Sequence, residues 1–273
     1  MRKFGFAFLA VFLLATSALL AQQEIGLRAT PLQPSRRVPK IYIGPVFGYN
    51  NTLHSGTFAS VPGPEGALCP TFTDGTLNGY YVGLSFEYLL GKPRESKSSI
   101  IGRIVYNTFP ASFTKDGETL PSLDPNDSSK VYLSTTNHTA DIEYSTLDLE
   151  IIYKLNLFNS NFGIVIGPTI GTVMNVQRTQ RMNLLTPENA TFKPKDGVTY
   201  ENFGRTILVG QDELPGHNAL RLAIKAGAQY EITVGRVLVV PCIYYNFGVT
   251  KLSDADNLRV NALQIGCDLR FAL

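Results

Sequence analysis

From Leu263 to Phe271 the odd positions of this chain are Leu, Ile, Cys, Leu and Phe. The even positions between them are Gln, Gly, Asp and Arg. A period of two puts one set on each face of an extended strand. Charges on the second face, rather than merely small residues, mean that it meets water or other charges. The same split recurs elsewhere. Leu220, Leu222, Ile224, Ala226, Ala228 and Tyr230 oppose Arg221, Lys225, Gln229 and Glu231. Leu147, Leu149, Ile151, Tyr153 and Leu155 oppose Asp148, Glu150, Ile152, Lys154 and Asn156. Tyr80, Val82, Leu84, Phe86 and Tyr88 oppose Tyr81, Gly83, Ser85 and Glu87, and Ile100, Ile104 and Tyr106 oppose Arg103 and Asn107.

Eight strands are expected, at roughly 41–50, 79–90, 99–109, 143–156, 162–175, 218–231, 236–248 and 258–271. Their connections alternate. Segments 91–98, 157–161 and 232–235 are short, 51–78, 110–142 and 176–217 are long, and 249–257 is moderate. Short turns on one side and long loops on the other are the pattern of a transmembrane β-barrel, apolar outside and polar inside. The reading is therefore all-β, a closed antiparallel up-and-down barrel of eight strands. Thr206-Ile207-Leu208-Val209 in the third long loop leaves ten strands as the runner-up. A soluble barrel would reverse the two faces. Outward aromatics gather near both strand ends, Tyr88, Tyr153, Phe162, Tyr230 and Phe271 at one and Phe47, Tyr49, Tyr80, Tyr106, Tyr245 and Phe247 at the other. Two such girdles suit the two membrane interfaces. Gly44-Pro45 and Gly167-Pro168 fall inside strands, where a proline without an N–H predicts a bulge or bend.

The N-terminus is Met1-Arg2-Lys3, an apolar run from Phe4 to Leu14, and small residues to Ala21. That is a secretory signal peptide over 1–21. A Pro-rich lead-in at 22–40 follows, then the barrel domain at 41–273. Past Ala21 no apolar run approaches the length of a membrane helix. An even strand count puts both termini on the short-turn side, which in a bacterial outer membrane is the periplasmic side. A net charge of +2 makes no case for nucleic acid. Cys69, Cys242 and Cys267 are odd in number and lack metal-ligand spacing.

Leu147–Leu155, a short turn and Phe162–Gly171 resemble the central hairpin of PorT-like outer-membrane β-barrel proteins. The start Ile41–Gly48 is similar to that family's first strand. The resemblance spans about 41–271 and rests on strand patterns, not on an active-site signature. It implies an eight-stranded barrel; one branch of the family assists protein secretion and gliding. Loops 110–142 and 176–217 are long for the family, and Phe271 is followed by Ala272 and Leu273. No functional residue is carried over.

The residues expected to matter are the charges of inward parity. They are Glu87 and Arg103 on the second and third strands, Asp148, Glu150 and Lys154 on the fourth, Arg221, Lys225 and Glu231 on the sixth, and Asp268 and Arg270 on the last. Arg236 shares their parity. Eight strands leave a lumen that side chains fill. These charges are expected to pair across it, because a buried unpaired charge is costly. The expected function is that of a non-enzymatic outer-membrane barrel with long extracellular loops, acting in envelope structure, surface interaction or assistance to secretion. Its partners would be outer-membrane lipid and, through the C-terminal strand, the barrel-assembly machinery. A small pore and a barrel enzyme acting on lipid or peptide are the alternatives. No cofactor, catalytic residue or metal ligand is expected. His54, His138 and His217 fall in three long loops, where a shared metal site is the weaker reading. Asn126, Asn137 and Asn189 open glycosylation sequons that carry no weight in a bacterial outer-membrane protein.

Overall fold

The computed structural model describes residues 39–59, 70–91, 96–124, 127–157, 160–235 and 237–273. The expected signal peptide 1–21, nearly all of the lead-in 22–40, Cys69 and Arg236 lie outside the described residues. Twelve strands are described: β1 Ile41–Ala59, β2 Thr71–Leu89, β3 Ser98–Thr108, β4 Ala111–Asp124, β5 Asp127–Asn156, β6 Phe162–Thr186, β7 Thr199–Glu201, β8 Thr206–Glu213, β9 Leu220–Tyr230, β10 Ile232–Val234, β11 Val237–Gly248 and β12 Arg259–Ala272. Eight of them close a ring in the order β1-β2-β3-β5-β6-β9-β11-β12, every neighbour antiparallel. β12 returns to β1 through pairs such as Val46↔Asp268, Tyr49↔Ile265 and His54↔Val260. Both chain ends of the ring lie on the short-turn side, where Ile41 faces Tyr88 and Tyr42 faces Ala272. β8 pairs with β6 above the ring and with β7. The ring therefore holds eight strands, not ten.

Parity sets what each face meets. On β5 Ile151 is 53% exposed and its neighbour Ile152 0%. The outward run Leu147–Leu155 is exposed and carries no charge. At 3.3 Å per residue and a tilt near 40° it stands about 23 Å tall, the height of a lipid-facing band. The matching runs are Leu220–Ile224 on β9, Ile164–Ile170 on β6 and Val82–Phe86 on β2. Among the described residues no helix is long and apolar enough to cross a membrane, and the crossing is made by strands.

Much of what reads as long loop is sheet. β1 runs on to Ala59, β2 starts at Thr71, and β5 and β6 continue well above the band. There β4, β5, β6, β8 and β7 lie side by side in that order. This upper sheet has its own small core of Met182, Leu184, Ala190, Phe192 and Ile207. Above the lipid the outward face meets water, so polar residues stand on both faces and the apolar contrast that marks a membrane strand is lost.

The two Gly-Pro pairs do not form bulges. Register is the same on either side of each, with Ile43↔Phe271 and Val46↔Asp268 around the first. Glu150↔Thr169 and Tyr153↔Ile166 flank the second. The prolines point outward and leave a gap in one ladder, and the glycines let the strands close up. A Cβ at Gly167 would lie 2.0 Å from the Ile151 carbonyl oxygen. Tyr81 marks the closing seam in the same way: its ring lies where Cβ atoms of Gly48 and Gly266 would be, on β1 and β12.

Candidate functional site

Inward parity on five strands brings the lumen charges together in the lower half of the barrel. They form one chain of alternating sign. Glu231 meets Lys154, Lys154 meets Glu87, and Glu87 meets Arg270. Arg270 lies 2.6 Å from Asp268, and Asp268 2.7 Å from Arg103. Arg103 stands 3.7 Å from Glu150, which contacts Lys225. All but Glu231, at the short-turn mouth, are nearly or fully excluded from solvent. Neutral groups take up the remaining bonds. Arg103 donates to the Tyr244 hydroxyl at 2.8 Å, and Ser99 donates to Glu87. The Tyr244 ring contacts both Arg103, 5.0 Å from its centroid, and Lys225 at 5.5 Å. Ile101, Ile152, Val165 and Cys242 pack around that ring.

A polar belt lies above this chain. Gln264 donates to Asn50 at 2.7 Å and to Asn107 at 3.1 Å, and Asn107 donates to Asp148 at 2.8 Å. Arg221 donates to Asn246 at 2.8 Å and stands 3.8 Å from Asp148. Of the ten expected lumen charges, the structure thus places eight in the chain and Asp148 and Arg221 in the belt.

The upper interior is of a different kind. Phe58 packs on Phe72 and Phe113, each at 5.1 Å between ring centroids. Phe109 packs on Tyr144 at 6.0 Å, and Arg221 lies 4.6 Å below the Phe109 ring. Leu214, Leu252 and Leu258 complete this cap from the loops. Those loops are tied across the mouth. Ser253 donates to the Pro215 carbonyl at 2.7 Å, Asn218 to that of Lys251 at 3.1 Å, and Arg178 pairs with Asp256 at 3.4 Å. Burial pushes the Asp256 carboxyl above the ordinary aspartate range, and Arg178 draws it partly back. The reading from sequence placed ion pairs in the lumen and missed this cap. Its signal is present: inward positions on β12 pass from Arg270, Asp268 and Gln264 to Ala262 and Val260, with Leu258 just before the strand. Phe109, Ala111 and Phe113 alternate in the same sense.

The histidines take separate roles. His54 points inward on β1 and contacts the Phe109 carbonyl at 2.9 Å. His138 sits on β5 in the upper sheet, where burial lowers its pKa and Glu118 opposes the shift. His217 pairs with Glu213 at 3.4 Å beside a rim cavity of about 440 Å³. Among the described residues no three His, Cys, Asp or Glu side chains form a group that could hold a metal ion. Cys242 is buried inside, while Cys267 sits half-buried on the outward parity, and both are free thiols. Asn137 accepts from Asn183 at 3.0 Å on the upper sheet, and Asn189 is exposed at a turn.

No family model matches the chain, and no curated protein matches it. Among solved structures it is similar to Neisserial surface protein A, at 10% identity and a TM-score of 0.33, covering 86% of this chain and 97% of that one. It is also similar to the outer membrane protease OmpT from Escherichia coli, at 9% identity and 0.36, covering 89% and 100%. For the CymD monoaromatic hydrocarbon channel the figures are 10%, 0.20, 84% and 88%. At these scores the likeness adds nothing to the strand pairings, on which the eight-stranded ring stands.

Proposed function

We propose that this chain is a non-enzymatic outer-membrane β-barrel whose lumen is filled by its own side chains and whose upper sheet is its working surface. The observation that carries the reading is the interior: an unbroken chain of opposite charges below and a packed aromatic cap above. A ring of eight strands leaves room for little else. Both termini would then be periplasmic and the upper sheet extracellular. Loops and extensions held on a rigid scaffold commonly carry binding, and here β5 presents Leu133, 75% exposed, and the turn between β7 and β8 presents Phe203, 97% exposed. Its role would lie in envelope structure, surface interaction or, as the resemblance to PorT-like barrels implies, assistance to secretion. Outer-membrane lipid would surround the band, and β12 would engage the barrel-assembly machinery. Fractionation of the cell envelope with protease shaving of whole cells tests this. The chain should appear in the outer membrane, with cuts confined to the upper sheet and its loops. A soluble product, or cuts in the short turns of intact cells, would refute it. Liposomes carrying the purified barrel should not swell in small sugars. Swelling at porin-like rates would put the pore reading in its place.

A further inference from the structure

Two contacts in the lumen differ from the rest. Arg103 Nη1 and Glu150 Oε2 stand 3.7 Å apart, and Arg221 Nη1 and Asp148 Oδ2 3.8 Å. Both separations exceed a hydrogen bond, and a polar gap of this size invites a bridging molecule. Three of the four facing atoms are left over, while the fourth, Asp148 Oδ2, accepts from Asn107. Arg103 Nη1, Glu150 Oε2, Arg221 Nη1 and the second Asp148 oxygen, Oδ1, are buried and have no hydrogen-bond partner. Thr169 Oγ1 and Asn246 Nδ2 are among the other buried atoms in this state. Thr169 is the ladder partner of Glu150. Asn246 already accepts from Arg221 through its Oδ1. Between Asp148 and Arg221 in the ladder sits Gly171. A Cβ there would lie 1.9 Å from Asp148 Oδ1, so that oxygen packs against the glycine and a side chain at 171 would displace the carboxylate.

We propose that each loose pair is a site for one bound water molecule. In the first, water accepts from Arg103 Nη1 and donates to Glu150 Oε2 and to Thr169 Oγ1. In the second, it accepts from Arg221 Nη1 and Asn246 Nδ2 and donates to Asp148 Oδ1. Each site pairs a guanidinium with a carboxylate. A cation would be repelled by the first and an anion by the second, whereas a neutral molecule that both donates and accepts suits both. Buried water with about three polar partners is an ordinary structural component. The second site lies directly beneath Phe109, so the lumen becomes a polar well, hydrated at mid-height and roofed by rings.

A crystal structure of the full barrel, at a resolution that shows ordered water, tests this. Density is expected within hydrogen-bond distance of the named atoms at both sites. Gly171→Ala should remove the second peak and keep the first, and Thr169→Val should weaken the first and keep the second. If the variants do not fold, the native barrel decides alone. Contraction of the two gaps to direct pairs, or density at neither site or at just one, overturns the proposal.

Discussion

The lower and upper halves of this barrel enclose the same kind of space and fill it with opposite chemistry. Below, acids and bases alternate from Glu231 to Lys225. Above, Phe58, Phe72, Phe109 and Phe113 pack as in a soluble core. The difference follows from what lies outside. Where lipid surrounds the ring, the outward face must be apolar, and polar side chains can be placed only inside. Above the lipid the outward face is wet, and the interior returns to the ordinary rule that apolar groups are buried. One set of strands thus passes from an inside-out protein to a conventional one.

The largest expected effect comes from breaking the lower half. Arg270→Ala leaves Glu87 and Asp268 buried without their shared cation, which should cost about 3–5 kcal/mol. Urea unfolding of the barrel in lipid vesicles would show it as a global loss of stability. In the upper half, Phe113→Ala should cost about 3 kcal/mol, the low end for a buried ring, because the strands there can relax. Its signature should be local. Hydrogen exchange should speed up in β4 and the upper parts of β1, β2 and β5 and stay slow in the lower ladders. Equal global effects from the two variants would dissolve the distinction between the halves. A third comparison holds strand and face constant. Leu149→Arg on the lipid band of β5 should cost about 2 kcal/mol or more. Leu133→Arg, on the same face of the same strand in water, should stay within about 0.5 kcal/mol. Similar penalties would place the lipid boundary wrongly.

Legibility in the sequence follows the same boundary. Within the band, Leu149 and Glu150 or Ile224 and Lys225 announce their faces by contrast, and all eight ring strands are readable. Beyond it, Gln177-Arg178-Thr179-Gln180-Arg181 is a strand whose buried members are Arg178 and Gln180. Nothing in that pattern separates strand from loop. Parity also overstates how alike inward positions are. Ile152 faces the lumen but is 0% exposed among Ile101, Val165 and Tyr244, so Ile152→Arg would be no mild control for Leu149→Arg. The cap needed contacts of Phe58 and Phe72, ladder partners on β1 and β2, with Phe113 on β4, a strand outside the ring whose sequence reads as loop.

The smallest expected effect is a pH dependence confined to the upper half. Burial lowers the pKa of His138 below its ordinary 6.5. The folded state therefore favours the neutral imidazole. Its contribution is fully present above pH 6.5 and is lost as pH falls through the lowered value. Protection from hydrogen exchange in the β4–β5 hairpin, taken relative to the intrinsic rate at each pH, should fall on acidification, and His138→Gln should flatten that response. An equal response in the variant would remove His138 as the cause.

Two unlike interiors thus close one lumen, and the charge chain fills its lower half independently of the cap. Planar-bilayer recording of the native barrel beside Phe109→Ala and Phe113→Ala tests it most directly. No discrete conductance steps are expected from any of the three, because the charge chain still fills the lower lumen when the cap is thinned. Steps from the native barrel would contradict the account outright, and steps from the cap variants alone would show that the lower half does not close the lumen by itself.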